Sequence, residues 1–267
     1  MKTLPTLKKM RGNYWQDFHQ FDILAFQDDT MRENQFRARV QQDGFFALYY
    51  DDEMIGQLII TPFGDDEGHL GRVAVAPKHQ GKGYGTIIVS KALEWFKKRS
   101  IRTVHLYTQH DNHIAQSLYR KFGFETTGIA WQYYVPIHHI KSREKFTCDQ
   151  IKEEDIDFVG TKYPSMPTAE IRRFLRKPGQ HVFTLKDKNK DIVGACRFTP
   201  SFPGCFPFEI DMVESFDDFM HGLQSYMLPQ FNYIRITQTN NHELANLCER
   251  RGYRLHHKLF KMTLNIS

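Results

Sequence analysis

VAVAPKHQGKGYGTIIVSKALEWF, residues 73–96, changes its periodicity halfway along. Residues 73–76 form a short apolar run suited to a strand. Further on, Ile88/Val89, Ala92/Leu93 and Phe96 recur at helical spacing, with Lys91, Glu94, Lys97 and Lys98 turned to water. Between the two stand Gly81, Gly83 and Gly85, at every second position. Glycine weakens a helix start and costs chain entropy, so the junction answers some local demand. Main-chain N–H groups can converge there, and with the helix dipole they make an anion site. The spacing is neither the phosphate loop that ends in Gly-Lys-Ser/Thr nor the GxGxxG dinucleotide fingerprint. A tight strand-to-helix turn alone would use the same residues.

Working outward, strands are predicted at 45–50 and 54–61 around the turn Asp51–Asp52, and at 68–76 before the glycines. A helix over 84–99, a strand over 102–108, a helix over 112–122 and a strand over 129–135 follow. The first 40 residues read as mainly helical. Their aromatic residues Tyr14, Trp15, Phe18, Phe21 and Phe26 suit core packing better than an acceptor pocket. Alternating strands and helices give an α/β fold.

The pattern is written twice. FFALYYDDEMIGQLIITPF (45–63) resembles FTLKDKNKDIVGACRFTPS (183–201), with Gly56, Thr61 and Pro62 recurring as Gly194, Thr199 and Pro200. TQHDNHIAQSLYRKFGF (108–124) resembles TQTNNHELANLCERRGY (237–253), where Thr108, Gln109, Asn112, His113, Leu118 and Gly123 recur. The second copy is shorter in its middle. It has no Gly-x-Gly there, and it carries Cys248 where the first has Tyr119. Two domains follow, 1–141 and 142–267, joined near PIHHIKSREKF (136–146).

Composition narrows the function classes. With 40% hydrophobic residues, 25% charged residues and a net charge of +5 spread over both halves, the 267-residue chain shows no basic stripe for nucleic acid. No apolar run of about 18 residues could span a bilayer, and a cytoplasmic location is expected. The four cysteines lack metal or disulfide spacing and read as buried free thiols. His105, His110 and His113 straddle a strand, a loop and a helix start, so no metal site is expected.

RVAVAPKHQGKGYG (72–85) resembles the acetyl-CoA-binding motif of the GCN5-related N-acetyltransferase (GNAT) family, in which Gln80, Gly83 and Gly85 fill the Gln/Arg-x-x-Gly-x-Gly/Ala pattern. NHIAQSLYRKFGF (112–124) resembles a later motif of the same family through Asn112, Ala115, Leu118, Tyr119, Gly123 and Phe124. The resemblance implies two tandem domains of this type, each a mixed, mostly antiparallel sheet flanked by helices, the second degenerate. It implies an acetyltransferase acting on a small-molecule or peptide amine with acetyl-CoA as cosubstrate. The pyrophosphate would rest on backbone N–H groups of Gln80, Gly81, Lys82, Gly83, Tyr84 and Gly85, where a side chain at Gly83 would obstruct it. The pantetheine arm would pair along Val73, Ala74 and Val75, with Asn112 near the cofactor or capping its helix.

Tyr119 matches the family's usual acid. A phenol near 10 can protonate a thiolate near 8.5, although helical spacing also suits a core aromatic. His69 occupies the place where the family often has a base glutamate, and Glu67 lies on the same strand face. Either could equally be an exposed strand-end residue. A non-catalytic acyl-CoA sensor and an aminoacyl-tRNA-dependent transferase are the competing readings, the latter opposed by the missing basic patch.

Overall fold

Periodicity and breakers set the elements of the first half: β1 (Thr6–Lys9), α1 (Trp15–Phe26), α2 (Glu33–Val40), β2 (Phe45–Tyr50), β3 (Glu53–Phe63), β4 (Glu67–Val75), α3 (Tyr84–Lys97), β5 (Thr103–Gln109), α4 (His113–Lys121) and β6 (Glu125–Pro136). The second half runs β7 (Thr147–Gln150), α5 (Ile156–Lys162), α6 (Thr168–Leu175), β8 (His181–Lys186), β9 (Ile192–Thr199), β10 (Gly204–Ile210), α7 (Phe216–Gln224), β11 (Tyr233–Thr239), α8 (His242–Arg250) and β12 (Arg254–Asn265). This computed structural model describes residues 4–63 and 66–266.

The expected elements form with small shifts at their ends. The β2–β3 turn works without glycine because Asp51 and Asp52 both take positive φ, 47° and 61°, as a two-residue hairpin loop requires. The first 40 residues were expected to be mainly helical, but TLKK pairs as edge strand β1 against β2. Four residues without apolar alternation gave no strand signal.

The chain forms two units, one up to Thr127 with the residues from Met262 onward, the other Gly128–Lys261. The junction expected at 141 therefore gives way to boundaries inside β6 and β12. Ala130–Pro136 of β6 pair with β11 and belong to the second unit. In the first unit, Ile266 N–H donates to the Arg102 carbonyl (2.7 Å) and Thr103 Oγ1 to Asn265 Oδ1 (3.2 Å). Hydrogen-bond pairing, which a linear pattern does not display, draws the boundary.

Within the first unit the strand order is β1-β2-β3-β4-β5, antiparallel except for the parallel pair β4/β5. Its α1/α2 side packs Phe18, Phe21 and Phe36 on Phe45, Ala47 and Ile59. Phe18 and Phe36 lie 4.7 Å apart between ring centres, so the N-terminal aromatics Phe18 and Phe21 are core. On the other side, Ile88, Val89, Ala92 and Phe96 of α3 are buried, and Phe96 lies so close to β4 that a Cβ on Gly68 would stand 2.2 Å from its ring.

The second unit repeats the plan in the order β6-β11-β10-β9-β8-β7, with β10/β11 its parallel pair. Its core gathers Phe183, Phe198, Phe208, Phe216 and Phe219. Cys196, Cys205 and Cys248 are buried free thiols and Cys148 is half-buried. No helix among the described residues is long and apolar enough to cross a membrane.

Candidate active site

The site begins with a bulge in β4. Gln57 faces Ala74 and Ile59 faces Gly71, so β4 carries one residue more than β3 between these pairs. Arg72 sits in the bulge at φ 46°. Its guanidinium bonds Asp22 Oδ1 (2.5 Å) and the Asp29 carbonyl (2.9 Å) and covers the Phe26 ring at 4.0 Å. Asp22 is fully buried and also accepts from Gln57 Nε2 (3.0 Å) and Met31 N–H (2.7 Å). A lone buried carboxylate would cost several kcal/mol. Three donors, from β3, β4 and the loop before α2, satisfy this one, and together they clamp the bulge in place.

Beyond the bulge the sheet parts. β4 and β5 pair only at Glu67/Thr103, Gly68/Val104 and His69/His105 among the described residues. Ala76 N–H donates to the Ile55 carbonyl (2.8 Å), so antiparallel alternation turns Ala74 and Ala76 toward β3 and the main-chain groups of Val73 and Val75 toward the β5 side. The strand edge of Val73–Val75 thus lines a cleft that β5 has left.

At the end of that edge stands the glycine loop. The first bond of α3 runs from Ile87 N–H to the Gly83 carbonyl (3.2 Å), and no side chain caps the helix. The N–H groups of Gly83, Tyr84, Gly85 and Thr86 therefore precede the intrahelical ladder. Gly83 takes φ 85°, and a Cβ there or at Gly81 would meet nothing within 4 Å. The protein itself thus does not crowd Gly83. Left-handed backbone demands the glycine, and the space above it is room for a ligand. Gly85 has a different reason, since its Cβ would approach Leu118 Cδ2 of α4 at 3.0 Å. Lys82 is exposed on the loop, and Tyr84 lies 6.0 Å from the Tyr50 ring.

Gln80 departs from expectation. Its N–H is spent on the Pro77 carbonyl (3.2 Å), and its side chain donates to the Val75 carbonyl (3.0 Å). It ties the loop to β4 rather than offering a main-chain donor, because a short 3₁₀ turn over Pro77–His79 consumes that group.

Asn112 caps α4, its Oδ1 accepting Ala115 N–H at 3.0 Å. Tyr119 is 6% exposed, packs on Phe124 at 5.8 Å between ring centres, and burial holds its hydroxyl pKa well above the ordinary phenol value. On the α1/α2 side of the sheet the register sets Thr61, His69 and His105 in one row across β3, β4 and β5. The His69 and His105 rings are 5.3 Å apart, Tyr107 lies 6.1 Å from His69, and His105 Nδ1 lies 3.8 Å from Glu67 Oε2. His69 leans along β4 over Gly71, where a Cβ would come within 3.0 Å of Nε2. Sequence reasoning singled out His69 and Glu67 but weighed His105 only with His110 and His113. The parallel register that brings it to His69 was the missing signal. His110 is exposed near Asp111, and among the described residues no group of three His, Cys, Asp or Glu is arranged around a metal.

The corresponding helix of the second unit, α7, carries two acids in its first turn, and their partners lie elsewhere in that unit. Asp217 pairs with Arg251 (2.5 and 2.9 Å). Asp218 accepts from Ser142 Oγ (2.8 Å) and from the N–H groups of Arg143, Glu144, Lys145 and Phe146. Burial pushes the Cys248 thiol up to about 12, so it stays neutral at physiological pH. Asn241 repeats the helix cap, accepting Leu244 N–H at 2.9 Å.

Residues 7–124 match the acetyltransferase (GNAT) family. A mycothiol acetyltransferase from Kytococcus sedentarius is 30% identical over 115 residues, which cover 40% of this chain and 39% of that protein. The chain thus spans about two fifths of that relative's length. A GCN5-related N-acetyltransferase from Sphaerobacter thermophilus superposes with a TM-score of 0.72 at 13% identity, covering 98% of this chain and 95% of the other. A tandem GNAT protein from the clavulanic acid biosynthesis pathway gives 0.65 at 10% identity, covering 98% of both chains. At such identities these two structures establish the fold, in both halves.

Proposed function

We propose that the first unit, whose residues 7–124 match the acetyltransferase (GNAT) family, moves an acetyl group from acetyl-CoA to a primary amine, by direct attack in a ternary complex. The parting of β4 from β5 beside an uncapped helix start carries this reading. An extended amide-bearing arm fits the Val73–Val75 edge, with Ala74 bonded to β3 behind it. A diphosphate fits the room above Gly81 and Gly83, facing the N–H groups of Gly83 to Thr86 and the charge of Lys82. Asn112 contributes by fixing the start of α4, and Gln80 by fixing the loop.

The bound thioester supplies an activated acyl group and a thiolate leaving group. A main-chain N–H at the Val75 edge polarises the carbonyl. His69 takes the proton of the attacking amine, with His105 beside it and Glu67 drawing positive charge toward this end of the row. Tyr119 gives its proton to the departing sulfur. Burial keeps the phenol protonated at neutral pH, and the same dry surroundings raise the pKa of a thiolate formed there, which narrows the mismatch between donor and acceptor. The acceptor is a small-molecule or peptide amine. In the second unit the glycines are missing, two aspartates add negative charge to the first turn of α7, and Cys248 replaces the acid, so that unit does not turn over acetyl-CoA.

The test is thiol release from acetyl-CoA across a broad amine panel, beside calorimetry with CoA. Amine-dependent release is expected, and Tyr119→Phe should lower kcat by about 10²–10⁴-fold with nearly unchanged CoA affinity. CoA binding without release for any amine would instead identify a non-catalytic acyl-CoA-binding module. Unaltered turnover of the Tyr119 variant would remove that residue from its role.

A further inference from the structure

The second unit rebuilds the row that carries the imidazoles of the first. Where β3, β4 and β5 set Thr61, His69 and His105 side by side, β9, β10 and β11 set Thr199, Gly204 and Arg235. The repeat thus keeps the threonine, deletes the side chain on the middle strand, and exchanges a titratable ring for a permanent cation. Arg197, two residues before Thr199 on β9, projects to the same face. Both arginines line a cavity of about 190 Å³ that lies wholly within this unit, together with Phe174, Phe202 and Phe206.

Both guanidiniums lie against aromatic rings. Arg235 stacks on Phe202 at 4.2 Å from the ring centre, and Phe202 in turn occupies the space a Cβ on Gly204 would need (3.3 Å). Arg197 lies 4.9 Å from Phe174 and 5.7 Å from Phe206, and its Nε donates to the Phe206 carbonyl at 2.6 Å. Among the described residues lining the cavity none is acidic. Phe202 and Phe206 remain 38% and 44% exposed, which is costly surface for rings of this size unless something covers them.

We propose that this cavity binds a small organic carboxylate, its charge on the forks of Arg197 and Arg235 and its apolar body against Phe202 and Phe206. Rigid, planar guanidiniums match carboxylate geometry. A wholly inorganic anion would leave the rings wet, and a neutral ligand would draw nothing from the two guanidinium charges. The volume falls below the range of about 300–1,000 Å³ usual for drug-sized ligands, which points to a compact molecule. The inference stands independently of acetyl transfer in the first unit.

Sodium benzoate is the probe, titrated calorimetrically into the full chain at constant ionic strength. Saturable binding is expected, about tenfold or more weakened by Arg235→Met and by Arg197→Met, and similarly weaker for neutral benzamide. Arg235→Lys keeps the charge but loses the flat fork and should retain intermediate affinity, a result that a merely unfolded cavity would not give. Phe202→Ala should weaken benzoate about threefold or more. Absence of saturable heat, or affinity unchanged in both methionine variants with circular dichroism intact, would overturn the assignment. Inorganic phosphate binding as tightly as benzoate would overturn the organic-carboxylate part as well.

Discussion

Gly83→Ala separates backbone strain from ligand obstruction. The new methyl meets nothing within 4 Å, so no clash enters the accounting. What remains is the left-handed φ of 85°, which costs an L-residue about 1–2 kcal/mol. For domains of this size that is a fall in Tm of about 2–8 °C. Gly252 supplies the control, since it takes φ 67° and a Cβ there also meets nothing within 4 Å, but it lies in the second unit. Gly252→Ala should show the same thermal loss. The two variants should differ in CoA affinity alone. A methyl in the diphosphate's seat forfeits at least one charge-assisted hydrogen bond, about 1.5–3 kcal/mol, which raises Kd about 10–150-fold. Calorimetry with CoA and thermal unfolding of both variants make the comparison. If Gly83→Ala binds CoA within about twofold of wild type while losing the same stability as Gly252→Ala, the loop is only a turn, and the anion seat must be sought elsewhere.

The other predictions concern the base and the two buried carboxylates. His69→Gln should lower kcat/KM by about 10²-fold or more and remove the low-pH limb of its pH profile, with CoA affinity retained; a profile that keeps the limb would transfer the base role to another group. Asp22→Ala leaves the Arg72 guanidinium without its buried partner and should cost about 3–5 kcal/mol in chemical denaturation. Milder loss would show that the bulge holds without the ion pair. For Asp218 the ordering of effects fixes the sign. Burial alone would raise its pKa, but hydrogen bonds from Arg143, Ser142, Lys145 and Phe146 outweigh it and hold the carboxyl below its ordinary value. Its stabilisation is complete above the unfolded value of about 3.9 and is lost as pH falls through the folded value. The stability gap between wild type and Asp218→Asn, measured by urea unfolding, should therefore close below about pH 4.

Sequence by itself determined the α/β alternation, the helix face of Ile88, Val89, Ala92 and Phe96, the cap at Asn112 and the glycine junction, because each is a local rule written within a few residues, and the tandem repeat, because the same local rules recur in the same order. It also separated the two halves chemically, through the missing glycines and Cys248. Three things waited for the tertiary structure. The domain boundary depended on which strands exchange hydrogen bonds, so it falls inside β6 and β12 and not between the two copies of the repeat near 141. The bulge at Arg72 depended on a buried carboxylate 50 residues away. The rows Thr61–His69–His105 and Thr199–Gly204–Arg235 depended on parallel register between strands separated by a helix. Periodicity along one strand says which face a side chain takes, but only pairing between strands says which side chains share it.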